Sequence, residues 1–314
     1  MNELVKVSEN MLKSCLGAKA GEVVLVVTDD PRSDIGCAIY TAAIRLGCEG
    51  ILMTMREREV SGQEPPKIIA DAMKGADIVV APTTKSLTHT NARIEAVAAG
   101  TRVATMPGIT EKMFLEGAMT ADYEKVEALT EKITALLTKA EMARIEKDGK
   151  VLNLSLNGRD GIPSTGIYRE AGKSGNLPSG EAYIAPREDG TDGEMIIDGS
   201  MVGIGKLSSP LHMVISEGKL RSVTGDGSEK LGILLEDEKN ATVCELGIGT
   251  NEAAILNGVI LEDEKVYGTV HIAFGTNTSF GGTNKAACHM DGIILEPTLY
   301  LDDKLIIDHG EFMV

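Results

Sequence analysis

Val23-Val24-Leu25-Val26-Val27-Thr28-Asp29-Asp30, entered from Gly21-Glu22 and left through Pro31, is the stretch that decides the fold of the first half of the chain. Five aliphatic residues stand in a row and four of them are β-branched. A half-solvated strand would alternate apolar and polar side chains, whereas an unbroken run bounded by glycine and proline reads as a strand covered on both faces, as in a parallel sheet. Outward from it the same grammar repeats. Upstream, Leu4, Val5, Met11, Leu12, Cys15 and Leu16 recur at helical spacing and predict an amphipathic helix over 4–17, closed near Gly17. Downstream come a helix over 33–46 ended by Gly47, a strand over 51–55, and a helix opened by Pro65-Pro66 and running to Met73. A strand over 77–82, a helix over 91–99 and a strand over 102–107 follow. Strands alternating with helices predict a doubly wound, mostly parallel sheet.

No Gly-x-Gly-x-x-Gly follows the first strand and no Walker loop occurs, while the turn 28–32 carries two acids that would repel a pyrophosphate. This half therefore reads as a Rossmann-like scaffold and not as a nucleotide domain. The turns Asp29-Asp30 and Pro82-Thr83-Thr84-Lys85 lie at carboxyl ends of strands, where open sheets take ligands. His89, alone near that edge, reads as a surface or capping residue.

Strong helix formers over 122–147 predict one long helix. At Asp148-Gly149 the character changes: glycine becomes dense and short alternating strands follow, over 151–156, 194–197, 211–215, 219–223 and 301–307. The expectation is two domains: 1–146, a Rossmann-like α/β scaffold, and 147–314, a mainly antiparallel β-rich domain.

A formal net charge of −16 argues against nucleic acid and anionic membranes as partners, because phosphate binding needs a basic patch. The five cysteines are scattered without a Cys-x-x-Cys, which fits buried thiols in a reducing compartment. An early acid and the lack of an apolar run at the start predict no signal peptide, and no apolar run approaches the ~20 residues that span a bilayer. A cytoplasmic protein is expected.

Chemistry concentrates in the second half. Only five histidines occur in the chain, and two of them, His271 and His289, bracket a glycine-rich stretch. His289 and Asp291 leave the same face of an extended strand. His271 closes a run with strand character, 265–270. Two imidazoles and a carboxylate at strand ends make a divalent-metal site by composition; a capping His271 beside a solvated His-x-Asp is the plainer alternative. In 175–186 a Pro-Ser-Gly turn precedes Glu181, which is either a well-held ligand at a strand start or a solvated hairpin acid. Glu245 interrupts an otherwise apolar strand, where a lone charge is costly without a cation.

The order Leu-Pro-x-Gly-Glu, Glu-Leu-Gly-x-Gly-x-Asn, His-x-Ala-x-Gly and His-x-Asp resembles the M29 family of metallo-aminopeptidases, the aminopeptidase T and aminopeptidase S type. The resemblance covers most of the C-terminal half and, more loosely, the N-terminal half. It implies a homodimeric two-metal exopeptidase acting on small peptides, with zinc, cobalt or manganese held by Glu181, Glu245, His271, His289 and Asp291. Glu245 would bridge the two ions and Glu181 would share in proton transfer, so both are the catalytic candidates. Where that family has a tyrosine seven residues after the first histidine, this chain has Thr278, and His289 follows His271 by only 18 positions.

A second reading comes from the same superfamily, which includes a mononuclear iron enzyme that opens a dihydroxypyridine ring with dioxygen. His271, His289 and Asp291 resemble the two-His-one-carboxylate triad of non-haem Fe(II) oxygenases, and Gly275-Thr276-Asn277 with Phe280-Gly281-Gly282 resembles that branch. A non-catalytic metal-binding protein is the third reading.

Overall fold

A computed structural model describes residues 3–314. The chain divides into two compact units, one formed by residues up to Glu127 with Gly166–Ser179, the other by Ala128–Thr165 with Gly180–Val314.

The first unit runs α1 (Glu3–Ser14), β1 (Val23–Asp29), α2 (Ser33–Arg45), β2 (Glu49–Met55), α3 (Lys67–Lys74), β3 (Ile78–Thr83), α4 (Asn91–Ala98), β4 (Arg102–Pro107) and α5 (Glu111–Leu115). Its strands lie in the order β2-β1-β3-β4-β8, all parallel, where β8 is Ser174–Asn176. β1 is buried from Val24 to Asp29, as its unbroken apolar run requires. Leu25 and Val27 pack with Val79, Val103, Ile69 and Met73. Asp29 closes β1 by a structural route: its buried carboxylate accepts the Thr84 amide at 2.6 Å and the Thr84 hydroxyl at 3.2 Å. The acid expected to edge a cleft thus pins the turn after β3.

α6 (Tyr123–Lys139) leads to β5 (Met142–Lys147), β6 (Lys150–Ser155) and β7 (Ile162–Ser164). Beyond β8 come β9 (Glu181–Ile184), β10 (Thr191–Ile197), β11 (Ser200–Met201), β12 (Gly205–Lys206), β13 (Leu211–Ser216) and β14 (Lys219–Thr224). Then follow α7 (Gly232–Glu236), β15 (Val243–Gly249), α8 (Ile260–Asp263), β16 (Val270–Gly275), β17 (His289–Ile294), β18 (Thr298–Leu301), β19 (Lys304–Asp308) and β20 (Glu311–Phe312). The second unit builds an eight-stranded sheet, β14-β13-β10-β6-β5-β18-β19-β20, and a seven-stranded sheet, β12-β11-β17-β16-β15-β9-β7. Neighbours in both are antiparallel. One apolar cluster draws on both sheets: Leu152, Leu154 and Met195 from the first, Leu246, Ile272 and Phe274 from the second. The protein is thus a parallel-sheet α/β region joined to an antiparallel, β-rich region.

Three local expectations give way to tertiary structure. The helix expected over 122–147 stops at Lys139, because the Asp302 carboxylate accepts the amides of Glu141 and Met142 and Met142–Lys147 joins the eight-stranded sheet. The strand over 301–307 is a hairpin, with Asp302 and Asp303 both at positive φ. The run 265–269 is not a strand: β16 starts at Val270, which makes His271 its second residue. The division between units also lies elsewhere than at residue 146, since the chain crosses over within α6 and returns for Gly166–Ser179.

Candidate metal centre

Four adjacent strands of the seven-stranded sheet, β17-β16-β15-β9, carry every candidate donor. Residues directly opposite one another across an antiparallel pair share a face, and so do residues two apart along a strand. Glu181 pairs with Gly249, His271 with Gly247, and His289 with Gly275, while Glu245 and Asp291 both pair with Ala273. The period-two sets Glu245/Gly247/Gly249, His271/Ala273/Gly275 and His289/Asp291 therefore lie on one face, joined by Glu181 from β9. Each donor stands opposite a residue with little or no side chain. The need is steric: a Cβ at position 247 would lie 1.9 Å from His271 Nε2. Gly275, at φ +117°, has a backbone conformation that other residues rarely adopt, and a Cβ there would lie 2.1 Å from the Cys288 carbonyl oxygen.

The five donors fall into two groups that share Glu245. Glu181, Glu245 and His271 form one, and Glu245, His289 and Asp291 the other. In the first, His271 Nε2 is 3.4 Å from Glu181 Oε2 and 3.5 Å from Glu245 Oε1. In the second, His289 Nε2 is 3.3 Å from Glu245 Oε2 and 3.4 Å from Asp291 Oδ1. The two oxygens of Glu245 thus face different imidazoles. Among the described residues, Glu181 Oε2 and both ring nitrogens of His271 are buried without a hydrogen-bond partner. Donors about 2.1 Å from a common cation lie about 3–3.5 Å from each other, so the spacing suits ligands around an ion better than hydrogen bonds between them. The set fits a divalent metal. Carboxylate and imidazole suit iron, manganese or zinc and do not choose among them.

His289 Nδ1 lies 2.9 Å from the Thr276 carbonyl. That bond places the hydrogen on Nδ1 and turns Nε2 toward the carboxylates, the usual support of a ligating histidine. Burial works against a charged His289, but the Asp291 carboxylate outweighs it and the imidazole is held well above its ordinary range. His271 behaves alike: burial is outweighed by Glu245, Glu181 and Glu264, and its value is pushed up to about 9. Burial alone would raise Glu245, yet the two imidazoles bring it down to about 2. Burial pushes the Cys244 thiol up to about 12, so this cysteine packs behind His289 as a neutral group.

Two neighbours complete the surroundings, and the first of them, Lys265, had no clear signal in the sequence. Lys265, 1% exposed, places Nζ 2.7 Å from Glu181 Oε1 and bonds also to Glu264. Burial disfavours its charge, but the two carboxylates raise its value far above the ordinary lysine range. The residue reads in sequence as one more lysine after an acidic run, Glu262-Asp263-Glu264. The other is Phe280, in the glycine-rich stretch after β16. Its ring meets Tyr183 edge-on at 5.5 Å and His289 at 6.0 Å. Arg159 and Glu188 hold this stretch. Arg159 Nη2 pairs with Glu188 at 2.5 Å and Nη1 donates to the Gly281 carbonyl, while Glu188 Oε1 accepts the Thr283 amide at 2.6 Å. Thr278 is exposed. The triad His271, His289 and Asp291 does not close into one group; Glu245 stands between its members.

The family model described as "NicX: 2,5-dihydroxypyridine 5,6-dioxygenase" matches residues 3–314. By sequence alone, the chain matches none of the curated proteins. Among solved structures, a 2,5-dihydroxypyridine dioxygenase from Pseudomonas putida KT2440 superposes with a TM-score of 0.81 at 21% identity, over 99% of this chain and 97% of that one. Wild-type AmpT from Thermus thermophilus superposes with a TM-score of 0.72 at 16% identity, over 99% of each chain. At these identities the two superpositions establish a shared fold, the one that the motif order implied.

Proposed function

The chain belongs to the NicX family, and from that premise we propose that it is a metal-dependent oxygenase that opens a dihydroxylated aromatic or heteroaromatic ring with dioxygen. The match along 3–314 supports the reaction class, and the row of donors around Glu245 supports the metal. In this reading Glu245, His289 and Asp291 would hold a ferrous ion. When bound, such an ion supplies redox access to dioxygen and lowers the pKa of a ring hydroxyl.

The chain's own residues do the rest. His289, a third exposed at its side chain, marks where a substrate arrives. Phe280 and Tyr183 form an aromatic wall beside it that suits a flat ring and keeps water from one side. The Glu245 carboxylate, held low by its imidazoles, would serve the ion and not the substrate, because its other oxygen faces the buried His271. Glu181 lies deeper, where it orders His271. Oxygen uptake by iron-loaded protein, with loss of the ring absorbance of a dihydroxypyridine or another dihydroxyarene, tests the proposal. No uptake across such a panel overturns it.

One observation favours a second reading. The two oxygens of Glu245 aim at separate histidines, the arrangement of a carboxylate bridging two ions, as in a metallo-aminopeptidase. Glu181, Glu245 and His271 would then hold a second cation. Release of amino acids from aminoacyl amides, stopped by a chelator and restored by zinc, cobalt or manganese, would select this reading.

A further inference from the structure

We propose that the first unit carries a binding site for a small tetrahedral oxyanion, free phosphate or sulfate, in the cavity between α4, β4 and β8, with Arg93 and Ser174 as its donors. The site stands independently of the metal-dependent reading above.

The cavity has a volume of about 120 Å³ and is lined by Thr88, Arg93, Val103, Thr105, Ser174 and Gly175. At ~30 Å³ for each water in the liquid, that is room for about four oxygen-sized atoms, the size of a tetrahedral oxyanion. Pockets that take larger organic ligands start at about 300 Å³. No acid lines the cavity, so nothing in its wall repels an anion.

Arg93 supplies the charge. Its Nε donates to the Thr88 carbonyl at 2.8 Å, which fixes the stem, while Nη1 reaches only the Ser174 hydroxyl, at 3.4 Å. Among the described residues no carboxylate pairs with it. Other arginines that leave the solvent do find one: Arg102 meets Glu22 at 2.7 Å and Arg159 meets Glu188 at 2.5 Å. With 47 acids against 31 bases in the chain, an acid is the easy partner, and Arg93 goes without. Burial holds its value below the usual arginine range, and no carboxylate counters that. A half-buried guanidinium is costly to leave without an anion. Its outer nitrogens form a planar fork that matches two oxygens of a phosphate or sulfate.

The rest of the lining decides which donors remain. The Thr105 hydroxyl donates to Asn176 Oδ1 at 2.7 Å and the Thr88 hydroxyl to the same oxygen at 3.0 Å, so both are committed within the wall. The Ser174 hydroxyl accepts from Arg93 and keeps its own hydrogen for a ligand. The N-terminus of α4 takes no part. Glu64 already accepts the amides of Asn91 and Ala92, and the Thr90 hydroxyl accepts that of Arg93. An oxyanion held by Arg93 and Ser174 would tie α4 to β8, the edge strand of the five-stranded sheet.

The test is titration calorimetry of the metal-loaded full chain with phosphate at constant ionic strength. Sulfate and acetate serve as parallel arms, and hydrogen exchange locates the ligand. Saturable binding of phosphate and sulfate is expected, with protection in α4 and β8. Arg93→Gln should weaken it about 10- to 150-fold, the loss of hydrogen bonds to a charged group. Ser174→Ala leaves the bond from Arg93 to Thr88 in place and should weaken it about 2- to 10-fold. Should Arg93→Gln not fold, Ser174→Ala decides alone. Unchanged affinity in either folded variant overturns the proposal, as does binding that does not saturate. Protection confined to β9, β15, β16 and β17 would put the anion on the metal and overturns it too. Acetate binding more tightly than phosphate overturns the tetrahedral assignment.

Discussion

Glu245 is the residue on which both donor groups depend, since each of its oxygens lies 3.3–3.5 Å from a different imidazole. Glu245→Gln keeps the shape and removes the charge. It should lower metal affinity by more than about 100-fold, beyond the 10–100-fold that outer-sphere partners control, and abolish turnover while the circular dichroism of the fold persists. Equilibrium dialysis of the variant against metal checks this. His271 makes a second residue-scale prediction. In the metal-free protein its value is about 9 against an ordinary 6.5, raised by the surrounding carboxylates against burial. A group raised on folding adds stability that is fully present below its unfolded value and is lost as pH climbs through its folded value. The metal-free protein should therefore lose stability between about pH 6.5 and 9, seen as a falling urea midpoint. Metal binding at pH 7.5 should release protons, seen calorimetrically in buffers of different ionisation enthalpy.

At the scale of elements, the site is a matter of strand register. Gly247 exists to admit His271, and an added methyl would start 1.9 Å from Nε2. Gly247→Ala should cost about 1–3 kcal/mol through overpacking and cost metal content as well, because the imidazole must swing out of line. Thermal melts and elemental analysis of the one variant report both effects. The glycine-rich stretch after β16 makes a separate prediction. Its hold on the second unit passes through Glu188, whose carboxylate burial would raise but which the Thr283 amide and Arg159 keep below the usual range. Glu188→Ala should free Phe280 from its place beside His289 and Tyr183. The expected signature is a KM raised about 2- to 10-fold, from loss of an aromatic contact of about 0.5–1.5 kcal/mol, with metal content unchanged. A parallel fall in metal content would contradict it.

For the whole molecule, metal and fold are linked. At free metal 100-fold above its dissociation constant, binding adds about 2.7 kcal/mol. For a unit of this size that is worth about 5–10 °C in Tm. Chelation should therefore lower the melting temperature by that amount, and re-addition should restore it. Hydrogen exchange should locate the loss in β9, β15, β16 and β17 and leave the five-stranded sheet unchanged. Among the described residues no helix is long and apolar enough to cross a membrane.

What the amino-acid sequence determined by itself was what depends on neighbours along the chain. The apolar run of β1 and the alternation after it specify a parallel sheet, because a strand without a polar side must be covered twice. The period-two spacings Glu245-x-Gly247-x-Gly249, His271-x-Ala273-x-Gly275 and His289-x-Asp291 already hold the donor face, because a strand repeats every two residues. Only the tertiary structure decided the rest. Asp302, more than 150 residues away, ends the helix that local propensity would continue to Lys147. Register sets His271 against Glu181 and Glu245 and leaves His289 with Asp291, a division that no spacing reveals. Lys265 becomes part of the centre because a turn carries it to Glu181, 84 residues away in sequence. Charges that meet through space leave no period in the chain.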